Sequence, residues 1–119
     1  IHFVTDNTAW AGMPNGTYDW TGGRKVVKED HRVYVVGGTL AGSVASMNFG
    51  VGNFTRSTGC SLAEAVKMAS LNPALVIGVA DRKGSLEPGK DADLVTIDEQ
   101  VNVYLTMVKG QEVYRADGG

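Results

Sequence analysis

The sequence predicts an α/β chain that begins as a strand–loop–helix unit of the (β/α)8-barrel type and ends as a small antiparallel sheet. Three observations carry this prediction. Residues 1–5 form an apolar run without clean alternation, the pattern of a strand buried on both faces of a parallel sheet. After a long glycine-rich stretch, the apolar period changes from two to about 3.6 near residue 44. Beyond Gly78 the pattern is β throughout.

Length and composition bound this reading. The chain has 119 residues, room for one domain at most, whereas a complete barrel of this class takes about 250. Hydrophobic residues are 43% and charged residues 20%, which excludes collagen-like, low-complexity and disordered classes. Lys+Arg is 11 against Asp+Glu 13, a net charge of -2. That balance gives no electrostatic reason to expect nucleic acid or an anionic membrane as partner, and no run approaches the roughly 20 apolar residues of a membrane span. The single cysteine, Cys60, cannot form an internal disulfide and fits a reducing compartment, so a cytoplasmic location is expected. The chain opens at Ile1 inside an apolar run with no charged leader region. It therefore reads as cut from something longer, with Gly118-Gly119 as linker or tag.

The elements follow in order. Thr5-Asp6-Asn7-Thr8 closes the first strand, and Pro14-Asn15-Gly16 is turn chemistry. Thr17-Tyr18-Asp19-Trp20 is a short alternating piece. Lys25-Val26-Val27-Lys28 and Arg32-Val33-Tyr34-Val35-Val36 flank Glu29-Asp30-His31, a β-hairpin with a polar tip. Gly37-Gly38-Thr39-Leu40-Ala41-Gly42-Ser43 reads as a small-residue loop. Val44, Met47, Val51 and Phe54 then share a helical face, with Ser43 as N-cap. Gly50 and Gly52 weaken that helix by about 1 kcal/mol each relative to Ala, so tertiary packing must support it. It ends at Thr58-Gly59-Cys60. Ser61 and Glu64 form a capping box for a second helix with an apolar stripe of Leu62, Ala65, Val66 and Ala69. A third helix starts with Pro73 at its first position and stops at Gly78. Strands are expected at residues 93–97, 101–108 and 111–114. The chain thus divides into residues 1–78 (strand, inserted hairpin, helices) and 79–119 (small antiparallel sheet).

Few residues offer chemistry. Asp6 sits where a buried strand gives way to a loop, the catalytic edge in α/β barrels. There a carboxylate can ligate a metal or act as a general base; equally, it can cap an Asx turn through the Thr8 amide. His2 and His31 form no recognised ligand pair and read as packing or surface residues. A complete zinc site needs at least three protein ligands, and the chain does not visibly supply them. The Gly38 to Ser43 stretch permits close backbone approach to a ligand, but it is neither a P-loop nor a dinucleotide fingerprint. Trp10, Tyr18 and Trp20 make either a sugar platform or core. Cys60 reads as a packed thiol.

Several segments together resemble one family. Val4-Thr5-Asp6, Pro14-Asn15-Gly16, Gly38-Thr39-Leu40-Ala41-Gly42-Ser43 and Met68-Ala69-Ser70-Leu71-Asn72-Pro73-Ala74, in this order, are similar to the C-terminal part of N-acetylglucosamine-6-phosphate deacetylases. The stretch from Gly84 to Leu94 looks like the tail of many metal-dependent amidohydrolases. The resemblance spans about residues 2–115.

The resemblance implies the C-terminal portion of a (β/α)8 TIM-barrel amidohydrolase, its last β/α unit carrying the inserted hairpin, plus part of a small β-sandwich. It also implies hydrolysis of N-acetylglucosamine 6-phosphate to glucosamine 6-phosphate and acetate by a complete enzyme, a homodimer. Asp6 would be the catalytic acid–base, and a possible metal ligand. Gly38, Thr39, Leu40, Ala41, Gly42 and Ser43 would bind the amino-sugar phosphate. The family's divalent metal, of zinc or iron type, takes its other ligands from earlier barrel strands, which match nothing here. The chain alone is therefore expected to bind metal poorly and to be inactive. Two other readings stay open: another metal-dependent amidohydrolase, and a non-catalytic sugar-phosphate binding or assembly module.

Overall fold

The computed structural model describes residues 1–117; Gly118 and Gly119 lie outside the described residues. Two compact units are present, residues 4–47 and residues 1–3 with 48–119.

The first unit is a four-stranded antiparallel meander, β1 (Gly16–Asp19), β2 (Lys25–Glu29), β3 (Arg32–Val35) and β4 (Leu40–Ser43), in sequence order. The hairpin forms as expected, with Glu29 opposite Arg32 and Asp30 in the left-handed region at φ 49°. Alternation decides its faces. Val26 and Val33 are completely buried and pack with Val44; Trp10, Ala11, Tyr18, Trp20 and Ala41 close over that cluster. Trp10 and Trp20 meet edge to face at 6.0 Å, so these aromatics are core rather than a sugar platform. Lys28 is also buried. Its ammonium donates to Asn15 Oδ1 and to the Asp30 carbonyl, each at 3.2 Å, which satisfies a charge that would otherwise be costly to bury.

Three expectations for this unit need correction. Residues 1–5 form no strand, and Ile1 and Val4 are exposed. A parallel strand needs neighbours for its backbone hydrogen bonds, and the described residues supply only one parallel bridge, Asn7 to Ser43. The Leu40-Ala41-Gly42-Ser43 segment is not a loop but an edge strand. A bulge between Val33 and Tyr34 shifts its register so that Gly42 faces Val33 and Leu40 faces Tyr34. Ser43 is not a helix N-cap. Its hydroxyl accepts from the Ala45 amide at 3.0 Å, and Val44 belongs to the sheet core.

Beside β4 runs the segment that carries Asp6. The Thr8 amide and the Thr8 hydroxyl both donate to the Ser43 carbonyl, at 2.9 and 3.1 Å. This approach requires glycine at position 42. Its φ is +152°, and a Cβ there would lie 2.5 Å from Thr8 Cγ2.

The second unit contains α1 (Met47–Thr58), α2 (Leu62–Ala69), α3 (Leu71–Val76) and a three-stranded antiparallel sheet of β5 (Leu94–Ile97), β6 (Val103–Val108) and β7 (Gln111–Arg115). Helix α1 begins three residues beyond the expected start, and α3 begins at Leu71, which puts Pro73 at its third position. The capping box of α2 is present in both directions. Phe3 meets Phe54 of α1 edge to face at 5.0 Å.

The glycine that weakens α1 is used. Gly52 is buried, and a Cβ there would lie 3.0 Å from Arg56 Nη1, 3.4 Å from the Gln100 carbonyl and 3.6 Å from Val101 Cγ2. The turn packed on it is strained: Val101, expected in a strand, is instead buried at φ 64°, an outlier for a β-branched residue. Asp98 holds it there, its carboxylate accepting from the Gln100 and Asn102 amides at 2.9 Å each, while Asn48 Nδ2 donates to the Val101 carbonyl at 3.2 Å.

The fold class that emerges is mixed α/β. Among the described residues both sheets are antiparallel, and no closed barrel forms.

Two outcomes are expected. Gly42→Ala should destabilise the first unit by about 1–3 kcal/mol, the range for overpacking a well-packed position; a urea transition followed by tryptophan fluorescence reads this, since both tryptophans lie there. An unchanged midpoint would contradict the close approach. The second concerns acid. Hydrogen bonds from the Lys83 ammonium hold the Asp91 and Asp93 carboxyls below the ordinary carboxylate range, and the Lys109 amide adds to this at Asp93. A carboxyl depressed in the folded state stabilises above its unfolded pKa of about 3.9, and that contribution is lost as pH falls through the lower folded value. Stability of the second unit, followed by far-UV circular dichroism, should fall below about pH 4, and less steeply in Lys83→Ala. Equal steepness in the two proteins would contradict this coupling.

Candidate functional site

The residues singled out by sequence converge in the first unit. A cavity of about 460 Å³ is lined by Asp6 together with Leu40, Gly42 and Ser43 of β4. Asp6 and half of the glycine-rich motif therefore share one concave surface, although 34 positions separate Asp6 from Leu40 in the chain. The volume lies within the usual range for small-molecule sites.

The backbone fixes how Asp6 is presented. It adopts φ 50°, a left-handed conformation that aspartate tolerates better than most residues. Its side chain is exposed, with no hydrogen bond or ion pair among the described residues. The Asx-turn alternative is not made, because the Thr8 amide it needs is committed to the Ser43 carbonyl. The clamp at Thr8 thus leaves the Asp6 carboxylate available two residues upstream.

The rest of the motif does other work. The Gly38 amide closes a turn onto the Val35 carbonyl at 2.9 Å, and the Thr39 carbonyl accepts from the Val35 amide at 3.0 Å. Ala41 packs against the Val26–Val33–Val44 cluster. Gly38, Thr39 and Ala41 do not line the cavity, whereas Leu40 is 61% exposed beside it.

Sequence reasoning missed three lining residues, His31, Arg32 and Tyr34. For Arg32 and Tyr34 the available signal was alternation on β3: with Val33 buried, its neighbours point to the opposite face; His31 precedes the strand, and alternation does not place it. His31, which the sequence reads as a surface or packing residue, lines the cavity wall. His2 belongs to the second unit and is not among the residues that line the cavity.

A metal finds no cage here. Among the described residues no three His, Cys, Asp or Glu side chains are grouped to hold an ion, and the cavity offers only Asp6 and His31 from that set. This donor set does not fit a metal centre. Cys60 is equally unsuited to nucleophilic work: burial and the neighbouring Glu64 push its thiol above the ordinary range. A larger concavity, about 600 Å³, lies in the second unit between α2 and the sheet, with Val66, Leu86, Leu94 and Met107 in its wall. Its one carboxylate, Asp93, is committed to Lys83 and to the Lys109 amide, so it carries no evident chemistry.

Residues 5–113 match the model of the amidohydrolase family. The human N-acetylglucosamine-6-phosphate deacetylase is 40% identical over 116 residues, 96% of this chain and 28% of that protein. An N-acetylgalactosamine-6-phosphate deacetylase of Escherichia coli O157:H7 is 40% identical over 111 residues, 93% of this chain and 29% of that one. Among solved structures, N-acetylglucosamine-6-phosphate deacetylase from Pasteurella multocida superimposes with a TM-score of 0.84 at 35% identity, over 93% of this chain and 29% of the other. A variant of the Mycobacterium smegmatis enzyme, in complex with N-acetyl-D-glucosamine-6-phosphate, gives 0.78 at 30% identity, over 94% and 30%. The chain spans less than a third of the length of these relatives. With nine-tenths of its residues matched by the family model, this chain belongs to the amidohydrolase family.

Proposed function

We propose that this chain supplies the acid–base aspartate and one wall of the substrate site of an N-acetylglucosamine-6-phosphate deacetylase. The observation that carries the reading is the shared cavity of Asp6, Leu40, Gly42 and Ser43, in a chain 40% identical to the human deacetylase. In this role Asp6 accepts a proton from the attacking water. The water oxygen bonds to the acetamido carbon, the C–N bond breaks, and Asp6 returns the proton to the leaving amine nitrogen. The products are acetate and the free amino-sugar phosphate. An exposed, unpaired carboxylate on a fixed backbone suits both halves of this exchange. Leu40, exposed beside the cavity, offers apolar surface for the acetyl methyl.

Among the described residues no three His, Cys, Asp or Glu side chains group to hold an ion; a divalent metal would take Asp6 at most from this chain and its other ligands from elsewhere in the enzyme. On this reading residues 1–78 contribute to a barrel and 79–119 to a sandwich in a longer, dimeric enzyme of the cytoplasm. No described helix is long and apolar enough to cross a membrane. A second reading of the substrate rests on the E. coli relative, whose sugar is the 4-epimer; the same wall then serves N-acetylgalactosamine 6-phosphate.

Acetate release by the intact enzyme from the two epimers tests the reading, and turnover of neither would sink it. Asp6→Asn keeps the left-handed backbone and the side-chain shape while removing the basic oxygen. It should lower kcat about 100-fold or more with KM within a few-fold; near-normal turnover would remove Asp6 from the role. The 119-residue chain alone should release no acetate above background with or without added divalent metal, and metal-dependent turnover by it would contradict the division of labour proposed here.

A further inference from the structure

The Pro14-Asn15-Gly16 turn holds the chain's one Asn-Gly step, and the proposed function leaves it unused. With glycine next in the chain, no Cβ hinders the following amide from reaching the asparagine side chain. Here the Asn15 amide is tied at both ends to the tip of the β2–β3 hairpin. Its Oδ1 accepts from the Asp30 amide at 2.9 Å and from the Lys28 ammonium at 3.2 Å. Its Nδ2 donates to Asp30 Oδ1 at 3.1 Å. Two donors face the oxygen and a carboxylate faces the nitrogen, which fixes the orientation of the amide. Lys28 is itself buried and also donates to the Asp30 carbonyl at 3.2 Å, whereas Asn15 and Gly16 are exposed to water.

We propose that Asn15-Gly16 is a deamidation site that the folded hairpin tip holds closed, so that conversion there records opening of the tip. The step needs only water. The Gly16 amide nitrogen bonds to Asn15 Cγ, the Cγ–Nδ2 bond breaks, and the amide proton of Gly16 passes through solvent to the leaving ammonia. Water then opens the five-membered imide at one or the other carbonyl. The product is aspartate or, with the main chain rerouted through the side chain, isoaspartate. In the folded chain three hydrogen bonds tie the side-chain amide to the hairpin, and the ring closes only after the side chain leaves them. Hydrogen bonds to charged groups are the costliest to give up, and both Lys28 and Asp30 supply one. The tip also adjoins the candidate site: Asp30, left-handed at φ 49°, immediately precedes His31 and Arg32 on the cavity wall. This chemistry is independent of the deacetylase reading.

The test follows Asn15 by peptide mass mapping of the intact enzyme held at mildly alkaline pH, both folded and in urea that unfolds it. In the unfolded enzyme the mass gain of amide-to-acid conversion should appear at residue 15 before Asn7, Asn48, Asn53, Asn72 or Asn102. In the folded enzyme conversion at residue 15 should be about 10-fold slower or more. Equal rates at Asn15 in the two states, or earlier conversion at another of these asparagines in the unfolded enzyme, would overturn the proposal. Lys28→Ala removes one of the three bonds and should raise the ratio of folded to unfolded rate at least about 3-fold; an unchanged ratio would overturn the gate. If Lys28→Ala fails to fold, Asp30→Gly takes its place. Glycine accepts the left-handed backbone at that position and removes the carboxylate that holds Nδ2, so it too should raise the ratio, and no acceleration there would contradict the proposal.

Discussion

Thr8 spends both of its donors on one acceptor, the Ser43 carbonyl, and the proposed site depends on that clamp. Without it the segment carrying Asp6 has no partner strand, because the described residues ahead of it form no secondary structure. With it, the carboxylate is set beside β4 while the Thr8 amide is withdrawn from any turn that would consume the carboxylate. Gly42 makes the clamp possible by leaving out the Cβ that Thr8 would strike. The glycine-rich motif is thus a structural device first: one glycine closes a turn, another admits the neighbouring backbone, and an alanine fills the core. Its exposure of Leu40 and Ser43 to the cavity follows from the same register.

Much of this was legible in the sequence because it is local. The hairpin, the capping box and the last two strands rest on alternation, on Ser61 and Glu64, and on turn residues, all within a few positions. What failed is non-local. Residues 1–5 have strand composition, but a strand exists only where neighbours accept its hydrogen bonds. The Leu40 to Ser43 segment looks like a loop from its small residues, yet β3 offers it an unpaired edge. Val44 has the spacing of a helical face and was claimed by the sheet core instead. Val101 sits in a left-handed conformation that no propensity favours, held by Asp98 and pressed on Gly52. The candidate site divides the same way: Asp6 and the motif were visible through their order along the chain, whereas Arg32 and Tyr34 became visible only once Val33 was known to point inward.

The acid–base chemistry proposed for Asp6 asks for little beyond position. It needs an ionised carboxylate, room for water and an amide, and a scaffold that does not move when the proton does. On the proposed reading, the bond broken is the amide of an acetamido sugar phosphate, in keeping with the deacetylase relatives of this amidohydrolase-family chain.

The clamp itself is open to direct measurement. Hydrogen–deuterium exchange of the Thr8 amide, resolved by NMR, reports whether the bond to Ser43 is formed and how often it opens. The account predicts protection of the Thr8 amide comparable to that of the paired amides of β2 and β3. Exchange of Thr8 at the rate of an unstructured peptide, with those strands still protected, would contradict it.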